Sequence, residues 1–161
     1  MIFFCVPTDF SENSIELLKN LNESHKNKKV CEVYGNLNPS KFGSGRHDKF
    51  LPKISLNQLE SYINGLKKVD IEFNYTLNNL CFNNLETLQE GKKKIFEFIE
   101  ILWNIGVEKI TVANPYVLNF INSHFPDIKI TASSIAHINS LMKVKEFMKI
   151  WLLDILACPI D

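Results

Sequence analysis

Polar side chains that could bind a ligand follow the apolar segments of this chain at regular intervals. Amides and hydroxyls dominate this set. Such groups orient a polar ligand through hydrogen bonds but transfer protons poorly. Acid–base chemistry is open only to Asp9, Glu32 and His137, so the pattern predicts ligand binding and leaves the catalytic residues unknown. The predicted ligand-binding residues of these segments are Glu32, Tyr34, Asn74, Asn78, Asn114, Ser133 and His137.

A glycine-containing loop adds two further candidates, Ser44 and Arg46, in the segment Gly43-Ser-Gly-Arg46. Glycine lets the backbone approach a ligand closely, and the arginine guanidinium offers a forked pair of donors to a carboxylate or phosphate. The loop therefore predicts contact with a small polar or anionic ligand. A surface turn with one exposed arginine is the alternative, because a short glycine loop has little specificity as a motif.

The histidine and cysteine residues do not form a motif for catalysis or metal binding. No carboxylate that would orient His137 as a base is evident near it, and Cys81 would need a histidine to act as a nucleophile. The four cysteines include no C-x-x-C pair, and no H-E-x-x-H segment is present. We therefore expect reduced thiols and no metal site.

Charge and hydropathy limit the classes of partner. Acidic and basic residues balance at 18 each, so net charge does not support a nucleic-acid partner. No apolar run approaches the roughly 18 residues that span a bilayer, and the apolar start of the chain has no basic leader. These features predict a cytoplasmic protein without a membrane partner.

Apolar runs and helical patterns alternate along the chain. Predicted strands start near Ile2, Val30, Asp70, Lys109, Lys129 and Asp154. They are mostly apolar, which is typical of parallel strands buried on both faces. The first helix is expected to bury a stripe made of Ile15, Leu17, Leu18 and Leu21. The same spacing predicts buried stripes in the next two helices, made of Leu59, Ile63 and Leu66 and of Ile95, Phe98, Ile99, Leu102 and Ile105.

The spacing of these units favours one fold class. At about 30 residues per unit, a complete (β/α)₈ barrel needs roughly 240 residues, and this chain has 161. We therefore predict an α/β fold in one domain over residues 1–161, a partial TIM-type barrel of about six parallel strands, truncated relative to eight units. A flat doubly wound sheet is the alternative, although its glycine fingerprint is missing after the first strand.

Several segments, in this order, resemble the collagenase-like peptidase family of unassigned catalytic type. The resemblance covers nearly the whole chain and corresponds to the N-terminal part of the family. The segments are Phe4–Phe10, Glu32–Gly35, Phe42–Arg46, Leu51–Pro52, Glu72–Tyr75, Leu77–Asn78 with Cys81, Ile105–Val107, Ile110–Val112, Pro115–Tyr116 and Ser133–Asn139.

The resemblance implies a TIM-type barrel and a peptidase activity. Some family members instead take part in oxygen-independent hydroxylation of transfer RNA, ribosomal RNA or ubiquinone precursors, and those members carry a four-cysteine iron–sulfur cluster. The cluster ligands lie farther along the family's chain than residue 161, so no cysteine is assigned to it here. Ser44 interrupts a loop that in the family is closer to three glycines followed by arginine.

Four functional hypotheses remain open on the sequence. The first is a domain that binds a small polar or anionic ligand, and the second is a peptidase. The third, implied by the resemblance, is a subunit or fragment of an oxygen-independent RNA or ubiquinone hydroxylation protein. The fourth is a non-catalytic interaction module or subunit whose barrel is completed by another chain or by a second copy, since an open parallel sheet exposes edges that proteins usually cover.

Overall fold

A computed structural model of the chain describes residues 1–37, 42 and 53–150, with side chains described up to Lys145. Within these described ranges five strands and five helices alternate, with a 3₁₀ turn at Ser134–Ala136 before the last of these helices. The strands are β1 Ile2–Pro7, β2 Lys28–Gly35, β3 Glu72–Leu77, β4 Lys109–Val112 and β5 Lys129–Ala132. The helices are α1 Glu12–Ser24, α2 Leu56–Lys67, α3 Gln89–Asn104, α4 Pro115–His124 and α5 Leu141–Ile150.

The strands form one parallel sheet in the order β1-β2-β3-β4-β5. Each strand lies beside its predecessor, so right-handed crossovers put the connecting helices on the same face of the sheet. A doubly wound sheet would instead reverse its strand order at one point. The partial barrel is therefore the correct prediction, and the predicted sixth strand, Asp154–Cys158, lies outside the described residues.

The hydrophobic core lies between this face of the sheet and the helices. Alternate strand residues such as Tyr75 and Ile110 pack against helix residues such as Ile63 and Ile99, all of which are buried. The predicted stripes of α2 and α3 are confirmed. Their buried residues are Leu59, Ile63, Leu66, Ile95, Phe98, Ile99 and Leu102.

Local sequence sets where the elements start and stop. Ser11 caps α1, and Ser55 with Gln58 forms a reciprocal capping box at α2. Gly106 follows α3 with φ +92°, a conformation that favours glycine. Asp70 has φ 58°, so β3 begins at Glu72 and not at Asp70 as the pattern predicted.

Strand β1 and helix α1 are less buried than the sequence predicted. We predicted strands buried on both faces, but β1 is an edge strand, and Phe3 is 60% exposed. In α1 the predicted stripe is only half right, because Ile15 and Leu18 pack against the core whereas Leu17 and Leu21 are exposed. A strand with one neighbour buries less surface, and its helix then has less to cover. Among the described helices, none has the length and apolar character needed to cross a membrane.

Candidate functional site

The face of the sheet opposite the helices, called the inner face here, carries polar side chains. Strand residues alternate between the two faces, so the neighbours of the core residues point to the inner face. Glu32, Asn74, Lys109 and Thr111 occupy it on β2, β3 and β4. A filled TIM-barrel interior is dominated by Val, Ile and Leu, so this inner face is unusually polar.

A hydrogen-bonded network joins these side chains. Lys109 Nζ lies 2.5 Å from Glu32 Oε2, and each of the two side chains is 8% exposed. Asn74 Nδ2 donates to Glu32 Oε1 at 3.0 Å, and Thr111 Oγ1 donates to Asn74 Oδ1 at 2.9 Å. Each group therefore has a fixed orientation.

The network continues toward the surface through a second acid and a second base. Glu72 Oε2 lies 3.9 Å from Lys109 Nζ, and Lys129 Nζ donates to Glu72 Oε1 at 2.7 Å. Glu72 and Lys129 are half exposed. Together with Glu32 and Lys109 they balance two negative against two positive charges, so the network has no net charge to attract an ion.

The carboxyl ends of the strands meet at one edge of the sheet, called the carboxyl edge here. This is where TIM-barrel sites are found. Tyr34 and Asn78 are half-buried near it. Ser133 is buried and caps the 3₁₀ turn, with Oγ accepting from the backbone N–H of Ile135 at 3.3 Å. These residues are therefore close to the edge on which the sequence placed the ligand.

The Asn114 side chain makes four hydrogen bonds at the same edge. Its Oδ1 accepts from the backbone N–H groups of Tyr116 and Val117, which caps α4. Its Nδ2 donates to the carbonyl of Leu80 and to Glu86 Oε1, both at 3.0 Å. Both amide protons and the oxygen are engaged, so we assign Asn114 a positioning role for Glu86.

The loop between β3 and α3 presents Glu86 from a tightly seated turn. Asn83 and Asn84 have φ of 54° and 63°, a left-handed conformation that asparagine tolerates well. At Gly91 a Cβ atom would lie 2.0 Å from the carbonyl oxygen of Leu85, so only glycine fits. The turn is therefore held against the start of α3.

Asn36 follows β2 at the carboxyl edge and is 4% exposed. The adjacent backbone is anchored, because the N–H of Leu37 donates to the Tyr75 hydroxyl at 3.3 Å. Burial raises the pKa of Tyr75 to about 12, so this hydroxyl is protonated at neutral pH. Tyr75 therefore serves as a neutral anchor for the chain beside Asn36.

The two other candidates for acid–base chemistry are exposed. The hydrogen bond from the backbone N–H of Ser11 lowers the pKa of Asp9, which keeps this carboxylate ionised. His137 adopts a left-handed conformation that ends the 3₁₀ turn, and its carbonyl accepts from Lys143 Nζ at 2.9 Å. In this structure His137 therefore ends the turn.

The described cysteines do not fit an iron–sulfur cluster. Cys5 pairs in register with Glu32 and lies on the same face of the sheet. Cys31 lies on the opposite face, and its Sγ donates a hydrogen bond to the carbonyl of Phe4. Cys81 is exposed in the loop after β3. Over the described ranges no cluster of three or more His, Cys, Asp or Glu side chains converges on one point.

Glu32 and Asn74 from the predicted set are hydrogen-bonded to each other, and four residues that were not predicted lie beside that set. Lys109 and Thr111 alternate along β4, so the period of the strand identifies them once its faces are known. Asn36 and Glu86 lie in loops and have no comparable periodic signal. Ser44 and Arg46 lie outside the described residues, so their role stays a prediction.

Comparison with known proteins places the chain in a family. A family model described as Peptidase family U32 matches residues 32–151, which is more than half of the chain. A protein named Uncharacterized protease MJ1657, from Methanocaldococcus jannaschii, is 28% identical over 142 residues, covering 85% of this chain and 41% of that protein.

Two solved structures share the fold. The U32 peptidase Mk0906 superimposes with a TM-score of 0.70 and 12% identity over 93% of this chain and 56% of that chain. CpGH84B superimposes with a TM-score of 0.50 and 14% identity over 80% and 26% of the two chains. The present chain thus spans about half the length of its family relatives or less, and it belongs to peptidase family U32.

Proposed function

We propose that this U32-family domain binds a small polar ligand with an anionic group at the carboxyl edge of its sheet. The observation that carries the proposal is the group of polar side chains at the carboxyl ends of the strands, where Tyr34 and Asn78 are half-buried and Ser133 is buried. Orienting such groups in advance lowers the cost of ordering them when a ligand arrives.

The anionic preference rests on Arg46, because the described network is electrically neutral. A charged hydrogen bond contributes about 1.5–3 kcal/mol, so Arg46→Ala is expected to weaken binding by roughly 10- to 100-fold. Calorimetric titration with the tripeptide Gly-Pro-Ala measures this effect, since the peptide supplies a carboxylate and polar backbone groups. Lys19→Ala removes an exposed positive charge of α1 and is the matched control. Unchanged affinity in Arg46→Ala would contradict the anionic part of the proposal.

Peptide-bond hydrolysis is proposed on family membership alone. The test is incubation of the chain with gelatin at high enzyme concentration, followed by mass spectrometry of released peptides. Gelatin fragments that form only when the chain is present would support a peptidase, and intact gelatin would contradict it.

A second proposal, self-association, is favoured by the exposed apolar edge strand. Between Ile2 and Val6 strand β1 has neither a charged residue nor a proline, the residues that usually prevent pairing, and Pro7 ends the strand. We propose that β1 pairs with β1 of a second copy across a two-fold axis. Light scattering over a concentration series should show a dimer that Phe3→Lys dissociates. A monomer at every concentration would refute the pairing.

A further inference from the structure

Two buried polar atoms at the carboxyl edge have no hydrogen-bond partner among the described residues. They are Nδ2 of Asn36, which follows β2, and Oε2 of Glu86, in the loop after β3. Natural proteins satisfy nearly all buried polar atoms, so such atoms are candidates for a functional role. One of the two is a donor and the other is an acceptor, and both lie on the edge where barrel sites form.

Both side chains are held in place by their surroundings. Asn114 Nδ2 fixes Glu86 through Oε1 at 3.0 Å, which leaves Oε2 as the atom with unused accepting capacity. The turn that carries Glu86 is seated against Gly91, where no side chain fits. Asn36 is 96% buried and precedes the anchored N–H of Leu37. Each side chain is therefore held in one orientation by its surroundings.

We infer that Asn36 and Glu86 recognise a peptide with a free amino group, Asn36 donating to a peptide oxygen and Glu86 accepting from the ammonium. The ammonium group suits the carboxylate because a charged donor makes the stronger bond, and a peptide backbone supplies the oxygen for the amide donor. This inference rests on the proposed ligand-binding function and adds the chemical class of the ligand.

The experiment compares Gly-Pro-Ala with its N-acetylated form by calorimetric titration of the full chain. The unmodified chain should bind the free peptide at least tenfold more tightly than the acetylated one. Glu86→Gln should abolish this preference, whereas Glu60→Gln, which changes an exposed acid of α2, should preserve it. Asn36→Leu should weaken both peptides several-fold.

A stability measurement separates recognition from a structural role. If Asn36 is kept for a ligand, then Asn36→Leu removes a buried unpaired donor and should raise the urea midpoint of the ligand-free chain while it weakens binding. A lower midpoint would mean that Asn36 has a structural role and would overturn its assignment.

The outcomes distinguish this inference from the proposed function. Equal affinity for the two peptides, together with weaker binding in Arg46→Ala, would overturn the inference and leave the proposed function standing. A preference for the free peptide that survives Glu86→Gln would overturn the assignment of Glu86. Failure of the unmodified chain to bind either peptide would refute both.

Discussion

The buried ion pair between Glu32 and Lys109 should be far more sensitive to mutation than an exposed pair of the same length. Both side chains are 8% exposed, and their charged atoms are 2.5 Å apart. Lys109→Met leaves the Glu32 carboxylate with a hydrogen bond from Asn74 as its described support. Removing one partner of a buried pair typically costs about 3–5 kcal/mol, because the other charge stays buried without compensation.

The chain provides a matched control at the surface. Lys67 and Glu108 are also 2.5 Å apart, but their side chains are 46% and 58% exposed. Lys67→Met is expected to cost at most about 1 kcal/mol, because water screens the charge that remains. The two substitutions are chemically identical and differ mainly in burial.

Urea unfolding followed by circular dichroism measures both effects. Lys109→Met should lower the midpoint by more than about 1 M, given typical slopes for small domains, and Lys67→Met by far less. The double variant Glu32→Gln with Lys109→Met should recover most of the loss, because it leaves no buried charge. Equal losses of stability in the two lysine variants would refute the assignment of a buried ion pair. A double variant whose loss equals the sum of the losses in Glu32→Gln and Lys109→Met would refute it as well.

Three further predictions concern the groups that support the site. Because burial raises the pKa of Tyr75 to about 12 from 10.0, the unfolded chain ionises first, and the free energy of unfolding should fall as pH rises from about 10 to 12. The expected slope is roughly 1.4 kcal/mol per pH unit in that range, and Tyr75→Phe should remove it in unfolding experiments at alkaline pH. Gly91→Ala should cost about 1–3 kcal/mol by overpacking against the Leu85 carbonyl, whereas Gly65→Ala, whose Cβ would meet only the Cδ1 atom of Ile15, should cost less in thermal unfolding. Asn114→Ala should cost about 2–4 kcal/mol in urea unfolding because it removes a helix cap and leaves Glu86 without its donor. Asn114→Ser should cost less, because serine also caps a helix and only the bonds donated by Nδ2 are lost; equal losses would contradict the two separate roles.

The sequence predicted the parts of the fold that rest on periodicity. The stripe of α3 at Ile95, Phe98, Ile99 and Leu102 is buried as expected, because spacing at three and four residues directly encodes one helix face. The exposure of β1 and of Leu17 was not predictable in the same way. It depends on how many strands lie beside β1, which is a property of the whole sheet.

The proximity of two predicted site residues follows from the alternation of strand residues. Glu32 and Asn74 lie within adjacent parallel strands, and both point to the inner face, where they are hydrogen-bonded. Glu86 and Asn36 were identified only from the structure, because the sequence does not show whether a buried atom has a hydrogen-bond partner. Asn114 was predicted as a ligand contact from its position after β4, but a residue at that position also begins a helix, and asparagine is a preferred cap.

The ligand site at the carboxyl edge is tested most directly by an NMR titration of the ¹⁵N-labelled chain with Gly-Pro-Ala. Saturable shifts are expected at this edge, in the backbone signals of Tyr34, Asn36 and Glu86 and in the side-chain amide of Asn114. Signals at the opposite edge, such as Asn27 and Lys68, should stay unchanged. Saturable shifts confined to that opposite edge or to the outer faces of the helices would contradict the account, as would the absence of any saturable shift.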